Sequence, residues 1–299
     1  MERGQTPAQS SEEEVTPRFT RFAAIDWSGA KGRRHKGIAL AVCEVGEAAP
    51  KLVRSGHVWS RTEVLEWLIE TAAQAPTLYG FDFSFAPPIA ERGAYLPGEP
   101  DVPSTAREFW AYVDRSCDDE DLGAASFLER KHRRHFYFGI ADGVKADFMH
   151  FRRCDTSLNA QGGRKTASAY DAIGAAQVAK ASFSGMRLLH RLEGQVAVWP
   201  MDSLPTRGSA VVEIYTRIYL RLAGLAGTKL RSRLELNAAL KALGSEPARL
   251  RFEPDDHQTD AIVTAAGMRA LAASEPRALA PEGLTSVLAR TEGWTFGVL

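Results

Sequence analysis

Cysteine is scarce in this chain of 299 residues, and its three copies are scattered. Cys43, Cys117 and Cys154 are odd in number and form no Cys-x-x-Cys pair. Disulfide frameworks and structural zinc sites need paired or clustered cysteines, so we expect neither of them here. This usage fits a reducing compartment best, and we expect a cytoplasmic protein.

Long apolar runs and a net charge are also missing. No stretch approaches the roughly 18 uninterrupted apolar residues of a membrane span, and the first residues contain no apolar core of a signal peptide. We therefore expect neither feature. Lys and Arg number 37, and Asp and Glu number 37. Attraction to a polyanion would have to come from local clusters of cations.

The composition is otherwise that of an ordinary globular protein, with 44% hydrophobic and 25% charged residues. Residues 1–18 are polar and are predicted to form a disordered tail. Strand and helix patterns fill residues 19–86 and return over 195–299. Residues 87–194 are polar and helical only in patches. The prediction is one α/β domain in two pieces, interrupted by a large insertion subdomain of mostly helical or irregular structure.

The elements of the α/β domain follow from apolar runs and capping signals. Ser60 is expected to cap a helix, because Glu63 follows at the capping-box spacing. A late helix is expected to open at residues 254–257, run through Leu271 and end before Pro276. The predicted strands cover 21–26, 38–43, 52–58, 78–82 and the stretch around Glu213.

Four acids lie in apolar surroundings. Asp26 and Asp82 each end an apolar strand, and Glu213 has Val and Ile on both sides. Asp260 lies inside the late helix, where Asp has poor propensity. Burying a carboxylate costs roughly several kcal/mol of free energy unless a partner compensates for the charge. A divalent cation is one such partner.

Each acid also has a structural alternative. For Glu213 the alternative is a buried ion pair with an arginine of the insertion. Asp255 or Asp256 could cap the late helix instead of binding a metal. Asp256 and His257 share the helical stripe of Asp260, so they could add a ligand or a base.

The small side chains on the Asp260 row would let the late helix approach a sheet closely. Thr264 and Gly267 lie on that row, at helical spacing from Asp260. The row therefore predicts that Asp260 points inward.

The insertion concentrates cations: residues 130–165 hold nine Lys and Arg against three Asp. Aromatic residues alternate with them over 130–138, a composition suited to neutralising phosphates and stacking bases. Two alternatives remain open, a solvated face and internal pairing with the acidic run over 114–121. Residues 162–166 and 174–182 lack the spacing of a nucleotide P-loop. The candidate nucleic-acid contacts are Arg130, Lys131, Arg133, Arg134, Arg152, Arg153, Arg164 and Lys165.

The order of these motifs resembles a known family. Four features carry the resemblance: an Asp on the first strand, a second Asp at the end of the strand after the first helix, a strand Glu before an aromatic residue, and a late helix that opens with Asp. In this order they resemble the pattern of the predicted ribonuclease H-like nucleases of domain-of-unknown-function family 429. The resemblance covers residues 21–90 and 195–298. His-Gln-Thr-Asp at 257–260 is similar to the His-x-x-Asp of Holliday-junction-resolvase-type nucleases. The chain departs from the family at Tyr215-Thr216, where His-Pro is frequent.

The resemblance implies a ribonuclease H-like mixed sheet flanked by helices. Asp26, Asp82, Glu213 and Asp260 would converge on one or two Mg²⁺ or Mn²⁺ ions, with Asp256 as a further ligand and His257 as a catalytic residue. Oxygen ligands favour such hard cations. The expected activity is hydrolysis of the phosphodiester bonds of a nucleic acid, either DNA or RNA. The sequence leaves the oligomeric state open.

Two other functions stay open. An acetate and sugar kinase-like phosphotransferase would share the core, but it needs further glycine-rich phosphate loops and an adenosine pocket, which the sequence does not offer. A catalytically inactive nucleic-acid-binding module of the same fold is the second alternative.

Overall fold

The computed structural model describes residues 19–162, 165–174, 177–225 and 229–299. The predicted tail over 1–18 and the candidate contact Arg164 lie outside these ranges.

The sheet begins as an antiparallel meander of three strands: β1 (Arg21–Asp26), β2 (Ala39–Glu44) and β3 (Lys51–Leu52). The third strand is much shorter than the predicted 52–58, so that prediction is wrong. Arg54 has φ 47° and Gly56 has φ 81°. Both residues are in the left-handed region, which a strand cannot include, and the chain turns there instead.

A capping box starts the first helix, α1 (Arg61–Ala72), as predicted. Ser60 Oγ accepts the backbone N–H of Glu63 at 3.0 Å, and Glu63 Oε2 accepts the backbone N–H of Ser60 at 2.8 Å. The chain then enters β4 (Thr77–Phe81), which runs parallel to β1 and is buried throughout. The Asp82 carboxyl follows directly at the end of this strand.

Residues 87–194 cover one face of the sheet. Their aromatic side chains Trp110, Phe127 and Phe183 are buried in one core with Ile25 and Phe81 of the sheet. Helical turns alternate with irregular chain, as the sequence predicts. The helices are α2 (Ala106–Ser116), α3 (Arg153–Ala160) and α4 (Val178–Arg191), with a π-helical turn at Phe127–Lys131 and 3₁₀ turns at Arg133–His135, Ile140–Asp142 and Lys145–Phe148.

The last third of the chain completes the sheet. Strands β5 (Ala197–Val198) and β6 (Ala210–Glu213) are parallel to each other and to β4, which gives the order β3-β2-β1-β4-β6-β5. The protein therefore has an α/β fold with a mixed six-stranded sheet flanked by helices. The remaining helical elements are α5 (Thr216–Leu222), α6 (Arg233–Ala242), α7 (Asp256–Ser274), a 3₁₀ turn at Pro276–Leu279 and α8 (Ser286–Thr291).

Helix α7 packs on the second face of the sheet, against β1 and β2. Gly80 of β4 permits this approach, because a Cβ there would lie 2.7 Å from Met268 Sδ of α7. The row of Thr264 and Gly267 faces α5 and not the sheet, which corrects the sequence prediction. Thr264 Oγ1 donates to Thr216 Oγ1 at 3.0 Å, and a Cβ on Gly267 would collide with Tyr219.

Within the described ranges, none of the helices has both the length and the hydropathy that a membrane crossing requires.

Candidate carboxylate site

Strand register brings Asp26 and Asp82 to one edge and one face of the sheet. Ile25 of β1 lies opposite Phe81 of the parallel strand β4, and both side chains point into the core under residues 87–194. Successive side chains of a strand point to opposite faces. The next residue on each strand, Asp26 or Asp82, therefore faces α7.

The first turns of α7 reach the same edge. Asp255 caps the helix, since its Oδ1 accepts the backbone N–H of Gln258 at 2.8 Å and Gln258 completes a capping box. This start places His257 Nδ1 3.0 Å from Asp26 Oδ1. Asp260 lies one turn further along. Of the two candidate caps, Asp255 has that role.

The pKa of each of the three carboxyl groups is raised, and burial is the largest cause in each case. Burial, followed by the charge of Asp26, raises the pKa of Asp260 to about 7. Burial, then Asp26 and to a smaller extent Asp260, raise the pKa of Asp82 well above its usual range. Burial also raises the pKa of Asp26, although the hydrogen bond from His257 opposes this shift. Asp26, Asp82 and Asp260 thus form a crowded, desolvated cluster in which negative charge is unfavourable.

A hard divalent cation matches the donor chemistry of this cluster, because it would neutralise carboxylate oxygens that are otherwise poorly solvated. Within the described ranges, no three His, Cys, Asp or Glu side chains already stand as a metal-ligand set. One oxygen of Asp26 faces His257, and Asp82 Oδ1 accepts the backbone N–H of Trp27 at 2.8 Å. Shared coordination would require these side chains to rotate.

Glu213 is not brought to this cluster. It lies opposite Phe81 in the register of β4 and β6, so its side chain points to the other face of the sheet. Both of its oxygens accept hydrogen bonds of 2.5 Å from the guanidinium of Arg152. Phe85 N and Thr295 Oγ1 donate to it at 2.9 and 2.7 Å. Glu213 forms the buried ion pair with an arginine of the insertion.

Arg152 and Asp256 are likewise engaged elsewhere. Arg152 is 2% exposed and also binds both oxygens of Asp155, so its guanidinium cannot reach a phosphate in solvent. The carboxylate of Asp256 is exposed and forms an ion pair with Lys229.

Most of the remaining candidate phosphate contacts have local partners. Arg153 and Lys165 are exposed. In the acidic run over 114–121, Asp118 is the acid that pairs with a described candidate contact, namely Arg130. Asp114 instead binds Arg187 and Arg191 of α4. The pairs are Arg130 with Asp118 (2.7 Å), Lys131 with Ser116 (3.0 Å), Arg133 with Asp142 (2.6 Å) and Arg134 with Glu99 (2.9 Å).

Two glycines of the loop after β1 lie in close contact with other segments around the site. A Cβ on Gly37 would lie 3.3 Å from His257 Nε2 and 3.5 Å from Ser28 Oγ. A Cβ on Gly29 would lie 2.2 Å from the backbone nitrogen of Ala181, so the loop after β1 touches the start of α4. Close approach between distant segments leaves no local signal in the sequence.

Comparisons of the chain with protein-family models, with curated proteins and with solved structures found no match.

Proposed function

We propose that this chain is a metal-dependent nuclease with a ribonuclease H-like fold, in which Asp26, Asp82 and Asp260 hold Mg²⁺ or Mn²⁺. The observation that carries the proposal is the gathering of three partly buried carboxyl groups at one sheet edge. They come from β1, from the end of β4 and from α7, and the charge of Asp26 raises the pKa of both Asp82 and Asp260. Such a cluster is costly for a folded protein and is typical of a functional site.

The sheet supports the fold part of the proposal. Its order is β3-β2-β1-β4-β6-β5, with β1 antiparallel to β2 and parallel to β4. A meander followed by a helix and a parallel strand is the order of elements expected of a ribonuclease H-like domain. Asp26 and Asp82 lie at the carboxyl ends of the neighbouring parallel strands β1 and β4, where binding sites of α/β sheets are usually found.

When bound, such a cation would act as a Lewis acid that polarises a phosphodiester and promotes attack by water. His257 is suited to accept the proton of that water. Its Nδ1 faces the Asp26 carboxylate, which favours the tautomer with the proton on Nδ1 and leaves Nε2 as an acceptor. The His257 side chain is 49% exposed, so a substrate can approach the ring from solvent.

Cleavage of labelled oligonucleotides tests the proposal. The panel contains single-stranded and duplex DNA, RNA and an RNA–DNA hybrid, each incubated with Mn²⁺ or with EDTA. We expect hydrolysis of at least one substrate with Mn²⁺ only. Asp82→Asn should lower the rate by about a hundredfold or more. The exposed Asp101 supplies the control, because Asp101→Asn removes a carboxylate outside the cluster and should leave the rate unchanged.

A folding control separates catalysis from stability. Asp82→Asn should melt at the same temperature as the wild type or higher in EDTA, because it replaces a carboxyl group whose ionised form is unfavourable at this position. If no substrate of the panel is hydrolysed with Mn²⁺, or if Asp82→Asn hydrolyses it at the wild-type rate, the proposal is wrong.

A further inference from the structure

An exposed apolar surface lies on residues 137–149 and Ile173. Three of the nine large hydrophobic side chains that are exposed in the described ranges lie here: Ile140 (91% exposed), Val144 (65%) and Ile173 (43%). A Cβ on Gly139 would lie 3.7 Å from Ile173 Cδ1, so the two segments touch. We call this surface the platform. It consists of Tyr137, Phe138, Ile140, Val144, Phe148 and Ile173.

Cations lie over the aromatic rings of the platform. Arg133 Cζ is 4.2 Å and Lys180 Nζ is 6.0 Å from the centroid of the Phe138 ring. Lys145 Nζ is 5.4 Å from the ring of Tyr137, which in turn contacts Phe148 with centroids 5.7 Å apart. Aromatic faces and positive charge therefore alternate over a short distance.

The cations at the platform lie among an equal number of acids. Arg133 pairs with Asp142 at 2.6 Å, and Lys145 pairs with Asp171 at 2.7 Å. Lys180 donates to the neutral side-chain oxygen of Gln177 at 3.0 Å. Asp147 lies on the same segment, between Lys145 and Phe148, so three cations stand against three carboxylates.

Lys180 also connects the platform with the carboxylate cluster. A Cβ on Gly29 would lie 2.2 Å from the carbonyl carbon of Lys180, so the backbones of the two segments are in contact. Gly29 follows Asp26 by three residues. Lys180 thus contacts the loop after Asp26 through its backbone and the Phe138 ring of the platform through its ammonium group.

We propose that the platform binds an unpaired nucleic-acid strand and delivers it to the carboxylate cluster. The inference rests on the proposed nuclease function and specifies its substrate as single-stranded. The bases of an unpaired strand expose flat apolar faces, which stack on aromatic side chains and cover aliphatic ones. A duplex hides those faces and presents phosphates, with which Ile140 and Val144 can make no favourable contact. The cations beside the rings match the phosphates between successive bases.

A protein partner is the other possible occupant of an exposed apolar surface. The ring–cation contacts and the contact of Lys180 with the loop after Asp26 favour the strand.

Equilibrium binding in EDTA, where metal-dependent hydrolysis does not occur, tests the inference on the full chain. Fluorescence anisotropy is measured with a labelled single strand and with the duplex of the same sequence. We expect the single strand to bind about ten-fold more tightly or better. The double substitution Ile140→Ser and Val144→Ser should weaken single-strand binding by about ten-fold and change duplex binding little. Both side chains are largely exposed, so the fold should be retained.

Two further variants complete the design. Phe138→Leu keeps an apolar side chain under Arg133 but removes the flat ring, and it should also weaken single-strand binding. Leu234→Ser is the matched control, because Leu234 is 81% exposed on α6, outside the platform. It should have no effect.

Equal affinity for single strand and duplex, or unchanged single-strand affinity in the platform variants, would overturn the inference. So would platform variants that alter only self-association, measured by light scattering. The cleavage assay with Mn²⁺ is a separate readout. A protein that cleaves but shows no strand preference refutes the platform alone, and one that binds single strands through the platform but never cleaves refutes the nuclease.

Discussion

Replacing Arg152 with Met should destabilise the protein strongly, although this residue lies in the segment that the sequence singles out for phosphate binding. The guanidinium is 2% exposed and donates to Glu213 and to Asp155. Met has a similar length and no charge. Arg152→Met therefore leaves two carboxylates without their cation in a region closed to water.

The size of the effect follows from these contacts. Removing one partner of a buried ion pair costs about 3–5 kcal/mol, because the remaining charge is uncompensated. Glu213 keeps two donors, Phe85 N and Thr295 Oγ1. We therefore expect a loss near the lower end, about 3 kcal/mol. For a chain of this size the urea m-value is about 3 kcal/mol/M, so the midpoint should fall by about 1 M.

Urea unfolding followed by circular dichroism and tryptophan fluorescence measures this loss. Arg153→Met is the matched control, since Arg153 is the next residue and is exposed. It should change the free energy of unfolding by less than about 0.5 kcal/mol. Adding Glu213→Leu to Arg152→Met should restore at least about 1 kcal/mol, because it removes one uncompensated carboxylate.

Two results would refute this reasoning. The first is a loss below about 1 kcal/mol for Arg152→Met. The second is a double variant that is less stable than Arg152→Met alone, which would mean that Glu213 is stabilised by something other than the arginine.

Two further perturbations act at the carboxylate cluster. In EDTA, the contribution of Asp260 to stability should fall as the pH rises from about 4 to about 7, because folded Asp260 keeps its proton up to a pKa of about 7 while the unfolded chain releases it near 3.8. Asp260→Asn removes this contribution, so urea titrations should show that the stability of the variant falls less, or rises more, over this pH range than that of the wild type. Identical pH dependence in the two proteins would contradict the assignment. Gly37→Ala places a Cβ 3.3 Å from His257 Nε2. Because His257 is half exposed and can shift, the midpoint of unfolding should hardly change while the Mn²⁺-dependent cleavage rate falls. An unchanged cleavage rate would argue against a role for His257.

Local signals in the sequence were sufficient for much of the fold. The capping boxes at Ser60 and Asp255 involve residues three apart, and both helices start where those spacings place them. The strands that lead into Asp26 and Asp82 are short apolar runs bounded by turns. The turn at Arg54 was missed because nothing in the side chain of Arg requires a left-handed backbone.

Which acids meet at the site depends on the register of the strands, and no local pattern in the sequence gives that register. Glu213, Asp26 and Asp82 look alike as acids at strand ends. One step of register decides which face of the sheet a side chain takes. Phe81 lies opposite Glu213, so Glu213 points away from α7 and meets Arg152 instead. That ion pair joins residues 61 positions apart.

The cations of residues 130–165 show a similar limit for charge counting. Arg134 is neutralised by Glu99, which lies outside the counted stretch, and Arg152 by Glu213, which lies beyond it. Lys180 also lies outside the stretch, yet it stands between the platform and the strand end of Asp26. The surplus seen in the sequence is therefore not the charge that a substrate meets. A strand held mainly by stacking needs few unneutralised cations, and a chain without net charge can supply them only by position.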